Sequence, residues 1–219
     1  MKRRVVGWLA LLLAAAFSSP CWAQRNSNND SAQAWQASYV AEAASNFDAA
    51  LAALEQLPFA QRQGYLANLR RGWLNYCTGR HAESAAAYAV AIKLEPDSVE
   101  ARVAQLLPLM ASGRWPDLIK AAQETLKHDP QNYLALQRMA YAQYSSQHFP
   151  EAEQTYRHIV KLYPSDVEMR VALGWAVLRM GKQSEASELF RSALELSPKH
   201  VGATTGLQAA AAGRGKSGQ

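Results

Sequence analysis

The chain has 219 residues, with 23 Lys and Arg against 18 Asp and Glu, two cysteines and a formal net charge of +5. The positive excess sits at the ends: between Ser31 and Ala210 there are 17 basic and 17 acidic residues, so the body gives no electrostatic reason to expect nucleic acid or an anionic membrane as partner. Of the two cysteines, Cys21 lies in the N-terminal segment expected to be removed; Cys77 then stands alone, which leaves no internal disulfide framework, and it reads as a small buried apolar side chain.

The chain opens with "MKRR", followed by an apolar run of 13 residues from Val5 to Phe17. That run is short for a membrane span. With small residues ending at Ala23, the pattern predicts a secretory signal peptide over residues 1–23, cleaved before Gln24. It implies a periplasmic or secreted (bacterial) destination with no membrane span after cleavage. "QRNSNND", residues 24–30, reads as a flexible leader.

Residues 31–212 carry a repeat. A helix-to-proline phrase returns at Pro96, Pro130, Pro164 and Pro198, an interval of 34 residues. Trp73, Leu107, Tyr141 and Trp175 keep the same interval, as do Gly79, Gly113 and Gly181, with Gln147 in the matching place. The phase defines units 65–98, 99–132, 133–166 and 167–200. Each reads as two helices. The glycine relieves a left-handed turn after the first helix, Pro116 and Pro150 open two of the second helices, and the recurring proline ends the second. Asp97 with Glu100, and Ser165 with Glu168, have capping-box spacing, and Ser184 reads as an N-cap. Upstream, residues 31–64 form a divergent unit. Downstream, 201–212 supplies a capping helix before the flexible tail 213–219. Pro108 falls inside a first helix, where it predicts a kink near Ala104.

A helix–turn–helix unit of this length resembles the tetratricopeptide repeat. The carrying residues are Leu173-Gly174, Ala186 with Phe190 and Pro198; Ala152 with Tyr156 and Pro164; and Gly72, Ser84 with Tyr88 and Pro96. The unit from Val99 matches least, and Asn68, Arg102 and Arg170 depart from the family's tryptophan. The resemblance implies an all-α, right-handed superhelical solenoid that holds a protein or peptide segment in a concave groove lined by the first helices.

No metal-ligand spacing joins His81, His128, His148, His158 and His200, and no phosphate loop or nucleophile elbow is present, so no enzyme activity and no cofactor are expected. The candidate feature is a stripe: Tyr141, Tyr144, Trp175 and Leu178 share a phase, with Arg138 and Arg179 flanking them to grip carbonyls or carboxylates. Groove and core both remain open readings for these aromatics. The equivalent Leu69, Trp73 and Tyr76 read as core, because the opposite face of their helix carries Asn68, Arg71 and Asn75. The resemblance's asparagine–lysine clamp for acidic tails is absent, since Val103, Leu107, Val171 and Trp175 hold those places. The sequence therefore predicts an exported interaction scaffold in an envelope or secretion assembly. A glycan- or peptidoglycan-binding module and a self-associating structural protein are the alternatives.

Overall fold

The computed structural model describes residues 21–214, and side chains from 30 to 212. The expected signal peptide lies almost wholly outside the described residues, as does most of the tail. Among the described residues there are twelve helices and no strand. They are α1 (Cys21–Ala43), α2 (Phe47–Leu54), the short α3 (Phe59–Arg62), α4 (Tyr65–Cys77), α5 (His81–Leu94), α6 (Val99–Ala111), α7 (Trp115–His128), α8 (Tyr133–Ser145), α9 (Phe149–Leu162), α10 (Val167–Arg179), α11 (Gln183–Leu196) and α12 (Val201–Arg214). From α4 onward each helix packs on the next in the chain, and α4, α6 and α8 also touch in series. Residues 24–30, expected as a flexible leader, lie within α1, and α12 extends past the expected end at residue 212.

The turn between paired helices is the same device each time. A residue with positive φ stands at Ser45 (57°), Gly79 (77°), Gly113 (65°), Gln147 (65°) and Gly181 (78°). After each, the next N–H reaches back over the helix end: Asn46 to Ala41 O at 2.8 Å, Arg80 to Asn75 O at 2.9 Å, His148 to Gln143 O at 2.8 Å. The series fixes the register of the divergent first unit, where Ser45 occupies the glycine's place.

Capping differs from expectation by one residue. Ser98 and Asp166, not Asp97 and Ser165, accept the N-terminal amides of α6 and α10, from Ala101 at 3.2 Å and Met169 at 3.1 Å. Asn132 does the same for α8. Glu100 and Glu168 are thereby free of a capping box and turn to other partners. Ser184 lies inside α11, whose N-cap is Lys182 without a side-chain bond. Among the second helices, α2 is capped by Asn46, whose Oδ1 accepts from Ala49 N–H at 3.1 Å, while α5, α7, α9 and α11 begin without a side-chain cap, directly after the tight turn.

Packing within a unit rests on a large ring seated over a small residue. Tyr88 lies over Gly72 and Phe190 over Gly174, so close that a Cβ at either glycine would sit 2.5 Å and 2.7 Å from ring carbons. Tyr156 takes the equivalent place in its own unit, where Ala140 stands for the glycine. The buried apolar residues fall into separate clusters. One joins Ala34, Leu54, Leu57 and Leu74; another, much larger, runs from Leu106 to Ala203; a smaller one lies between α5, α6 and α7 and reaches Ala142.

Pro108 is buried within α6, which keeps its helical course to Ala111. The proline cannot donate to Ala104 O. One residue earlier, Arg138 of α8 donates to Val103 O at 2.7 Å, so a neighbouring helix fastens onto the turn that the proline weakens.

Candidate ligand-binding groove

The first helices α4, α6, α8 and α10 present successive faces, and the cavities along them are lined by the striped positions. Tyr141, Tyr144 and Trp175 line one cavity of about 430 Å³ together with Tyr156 and Ala172. Tyr141 is 48% exposed. Trp175 is half-buried and meets Phe190 edge-on at 5.4 Å between ring centres, so one side of it belongs to the core. Tyr144 is likewise half-buried, edge-on to Phe149. Leu178 packs against the large core cluster and lines none of these cavities.

The two arginines are already engaged. Arg138 grips a carbonyl, as its chemistry suggested, but that carbonyl is Val103 of its own chain. Burial lowers its pKa from arginine's ordinary value, opposed by Tyr76 and Tyr88. Arg179 is exposed and lies over the Phe149 ring at 4.6 Å.

Arg138 and Tyr141 also line a second cavity, of about 520 Å³, together with Tyr156, Glu168, Met169, Met110 and Trp115. Glu168 is held by His200: Nδ1 of that ring accepts from Ala203 N–H at 3.1 Å, so Nε2 carries the proton and donates to Glu168 at 2.9 Å. The Tyr156 hydroxyl is held in its protonated form by burial and by the nearby Tyr144 and Tyr141.

The expectation for Trp73 is corrected. It is 40% exposed and lines a cavity of about 620 Å³ with Leu69, Leu66, Tyr88, Glu100 and the α1 residues Trp35 and Tyr39. The buried face of α4 is instead made of Ala67, Gly72 and Leu74, joined by two polar residues. Asn68 is among them because its amide donates to Gln63 O and Gly64 O. The other is Arg70, whose Nη1 meets Glu42 at 2.9 Å and whose Nε donates to Ser38 at 2.7 Å, with the guanidinium stacked 3.7 Å from the Tyr39 ring centre. Small residues allow Tyr88 to approach, which turns the larger Trp73 outward. Composition of the opposite face was a poor guide because alanine and glycine do the packing.

Cys77 is half-buried, and burial pushes its thiol pKa up, with Glu42 adding to the effect. No helix among the described residues is long and apolar enough to cross a membrane.

The geometry defines a helical-repeat protein with an aromatic-lined face. The tetratricopeptide-repeat profile matches residues 36–99 and 137–201, more than half the chain, and the protein belongs to that family. The stretch between the two matched segments, residues 100–136, falls mainly on the unit that contains Pro108. The fold is a right-handed superhelical solenoid shared with solved structures. A crystal structure of MamA is 17% identical, covering 78% of this chain and 94% of that one with a TM-score of 0.72. YrrB, a TPR protein with an unusual peptide-binding site, is 12% identical, with 85% and 96% covered and a TM-score of 0.71. The ArsTM double mutant of MamA from RS-1 is 15% identical, with 77% and 95% covered and a TM-score of 0.71. No curated protein matches the chain.

Proposed function

We propose that this protein is an exported scaffold that holds a peptide or protein segment along the concave face of its first helices, within an envelope or secretion assembly. The observation that carries the reading is Tyr141, half in solvent at the junction of two cavities, with Tyr144 and Trp175 beside it. Partly open aromatics in a recess are the side chains from which interfaces draw most of their energy. YrrB's peptide-binding site, on a similar fold, supports the same use of the surface. Export rests on the basic start, the apolar run and Ala23 of the sequence.

The test is a Tyr141→Ala/Trp175→Ala double variant of the mature chain, titrated with labelled peptides from a digested envelope fraction and, separately, with muropeptides. Binding of peptides should weaken at least tenfold, on the order of 1.4 kcal/mol or more, with a small change in melting temperature. Unchanged peptide binding would show that these aromatics are not the contact surface, and binding of muropeptides in place of peptides would favour the glycan reading. Edman sequencing of the exported protein should begin at Gln24 or within a few residues of it; a chain still starting at Met1 would remove export by a cleaved signal.

A further inference from the structure

Two cavities on the first-helix face repeat one another across two units. Shifting Arg70, Trp73, Tyr88 and Glu100 by 68 positions gives Arg138, Tyr141, Tyr156 and Glu168, and each set lines its own cavity. Ala104 and Ala172 complete the match. The intervening unit places Ala104, Leu107, Ala122 and Leu134 at those four positions, and the unit beyond places Ala172, Trp175, Phe190 and Gly202 there. The arginine, the tyrosine hydroxyl and the glutamate thus recur only in alternate units.

Each copy places an arginine and a glutamate on the lining of an aromatic recess; in the second the Arg138 guanidinium already donates to Val103 O, and in the first one nitrogen is left unsatisfied. Arg70 is only 8% exposed, yet its Nη2 has no hydrogen-bond partner, while its other nitrogens are held by Ser38 and Glu42. The Glu100 carboxylate takes one bond from the Tyr65 hydroxyl at 3.0 Å and is otherwise exposed. The Glu168 carboxylate takes one from His200. A peptide group carries one C=O and one N–H, the complement of an arginine facing a glutamate. The ring wall and the tyrosine floor between them suit a large apolar side chain.

We propose that these are two equivalent subsites for a single extended peptide whose large apolar side chains lie six residues apart. The proposal rests on the peptide-binding reading above. The spacing follows from packing: α4 and α8 are each in contact with α6, and adjacent helix axes lie about 8–10 Å apart, so the subsites are separated by roughly 16–20 Å. An extended chain rises about 3.3 Å per residue and turns alternate side chains to the same side, so an even interval of about six residues fits.

The test uses the full chain and synthetic fluorescent peptides in a glycine–serine frame, each with two phenylalanines at separations from three to eight, read by anisotropy. Affinity should peak at a separation of six. There it should exceed that of the same peptide with either phenylalanine replaced by serine by at least about tenfold, because the second contact is made within one complex. Trp73→Ser and Tyr141→Ser should each reduce the paired peptide to the affinity of the single one. Their folding is checked by circular dichroism, and both side chains are exposed enough for the fold to tolerate loss. Equal affinity for paired and single peptides, or no dependence on separation, overturns the pairing and leaves peptide binding by one pocket standing. Failure of every peptide to bind overturns both readings.

Discussion

Replacing Gly72 by alanine should destabilise the protein, although alanine is the better helix former. The added Cβ would lie 2.5, 2.6 and 2.7 Å from Cε1, Cδ1 and Cζ of Tyr88. Ordinary contact begins near 3.4 Å, so the ring or the helix has to give by almost an ångström. Tyr88 is 2% exposed, so displacing its ring disturbs the side chains packed around it. Overpacking of this kind costs about 1–3 kcal/mol, against a gain of about 1 kcal/mol for removing a glycine from a helix interior. The net loss is up to about 2 kcal/mol, or up to ~8 °C in melting temperature for a chain of this size. Urea unfolding followed by far-ultraviolet circular dichroism measures it. Gly79→Ala provides the contrast: nothing lies within 4 Å, and its cost arises from a φ of +77°, about 1 kcal/mol whatever stands at position 88. Combining Gly72→Ala with Tyr88→Leu should cost less than the sum of the two single changes, since the shared contact is lost once. A Gly72→Ala protein more stable than the parent, or strict additivity in the double variant, would refute the ring-on-glycine account.

Gln147→Gly should raise stability by about 0.5–1 kcal/mol, because Gln147 holds a left-handed backbone (φ 65°) where three other units use glycine; a lower melting point would contradict this. Trp73→Ala should cost no more than about 1 kcal/mol by the same unfolding assay, as expected of a side chain 40% exposed. Pro108→Ala should stabilise by about 1 kcal/mol, since Ala104 O regains a donor while α6 has already accommodated the ring; destabilisation would mean that the proline's packing outweighs the missing bond. Burial and the bond to Asp166 push the Tyr133 hydroxyl up to about 12 from 10. Its neutral form is favoured in the folded state, so this contribution is whole below pH 10 and lost between 10 and 12. Absorbance at the phenolate band should show a late-titrating tyrosine that disappears in Tyr133→Phe.

The repeat was legible because a solenoid imposes one geometry on every unit, so turn residues, prolines and rings must return in step. Capping was legible only to within a residue: both Asp97 and Ser98 are competent caps by type, and the position is set by the preceding turn, where Ser98 N–H bonds Glu95 O. The stripe Tyr141, Tyr144 and Trp175 could be placed on one face from phase alone. Trp73 was misread because the core side of α4 contains small residues and a paired arginine, which hydrophobicity counts undervalue. The role of Arg138 as a clasp on α6 had no local signal, since it depends on contact across units. The cue for Glu168 and Tyr156 was present in the sequence, but as a two-unit period hidden beneath the one-unit period.

The division of the buried residues into separate clusters bears on how the chain comes apart. In a linear array, stability is held by each unit and its nearest neighbours, so the weakest junction is where one cluster ends and the next begins. Here the N-terminal cluster stops at Leu74 and the large one starts at Leu106. At the far end, Glu153 bonds Lys182 and Arg157, and Arg157 also bonds Glu185, tying α9 to the following unit. Hydrogen exchange should therefore release the amides of α1 to α4 at lower denaturant than those of α8 to α11, as two melting steps along one continuous rod. The Trp73 cavity reaches from α1 and α4 to Tyr88, Glu100 and Ala104 across that seam, and the Tyr141 cavity lies beyond it, so a ligand reaching both would act as a splint and merge the two steps into one.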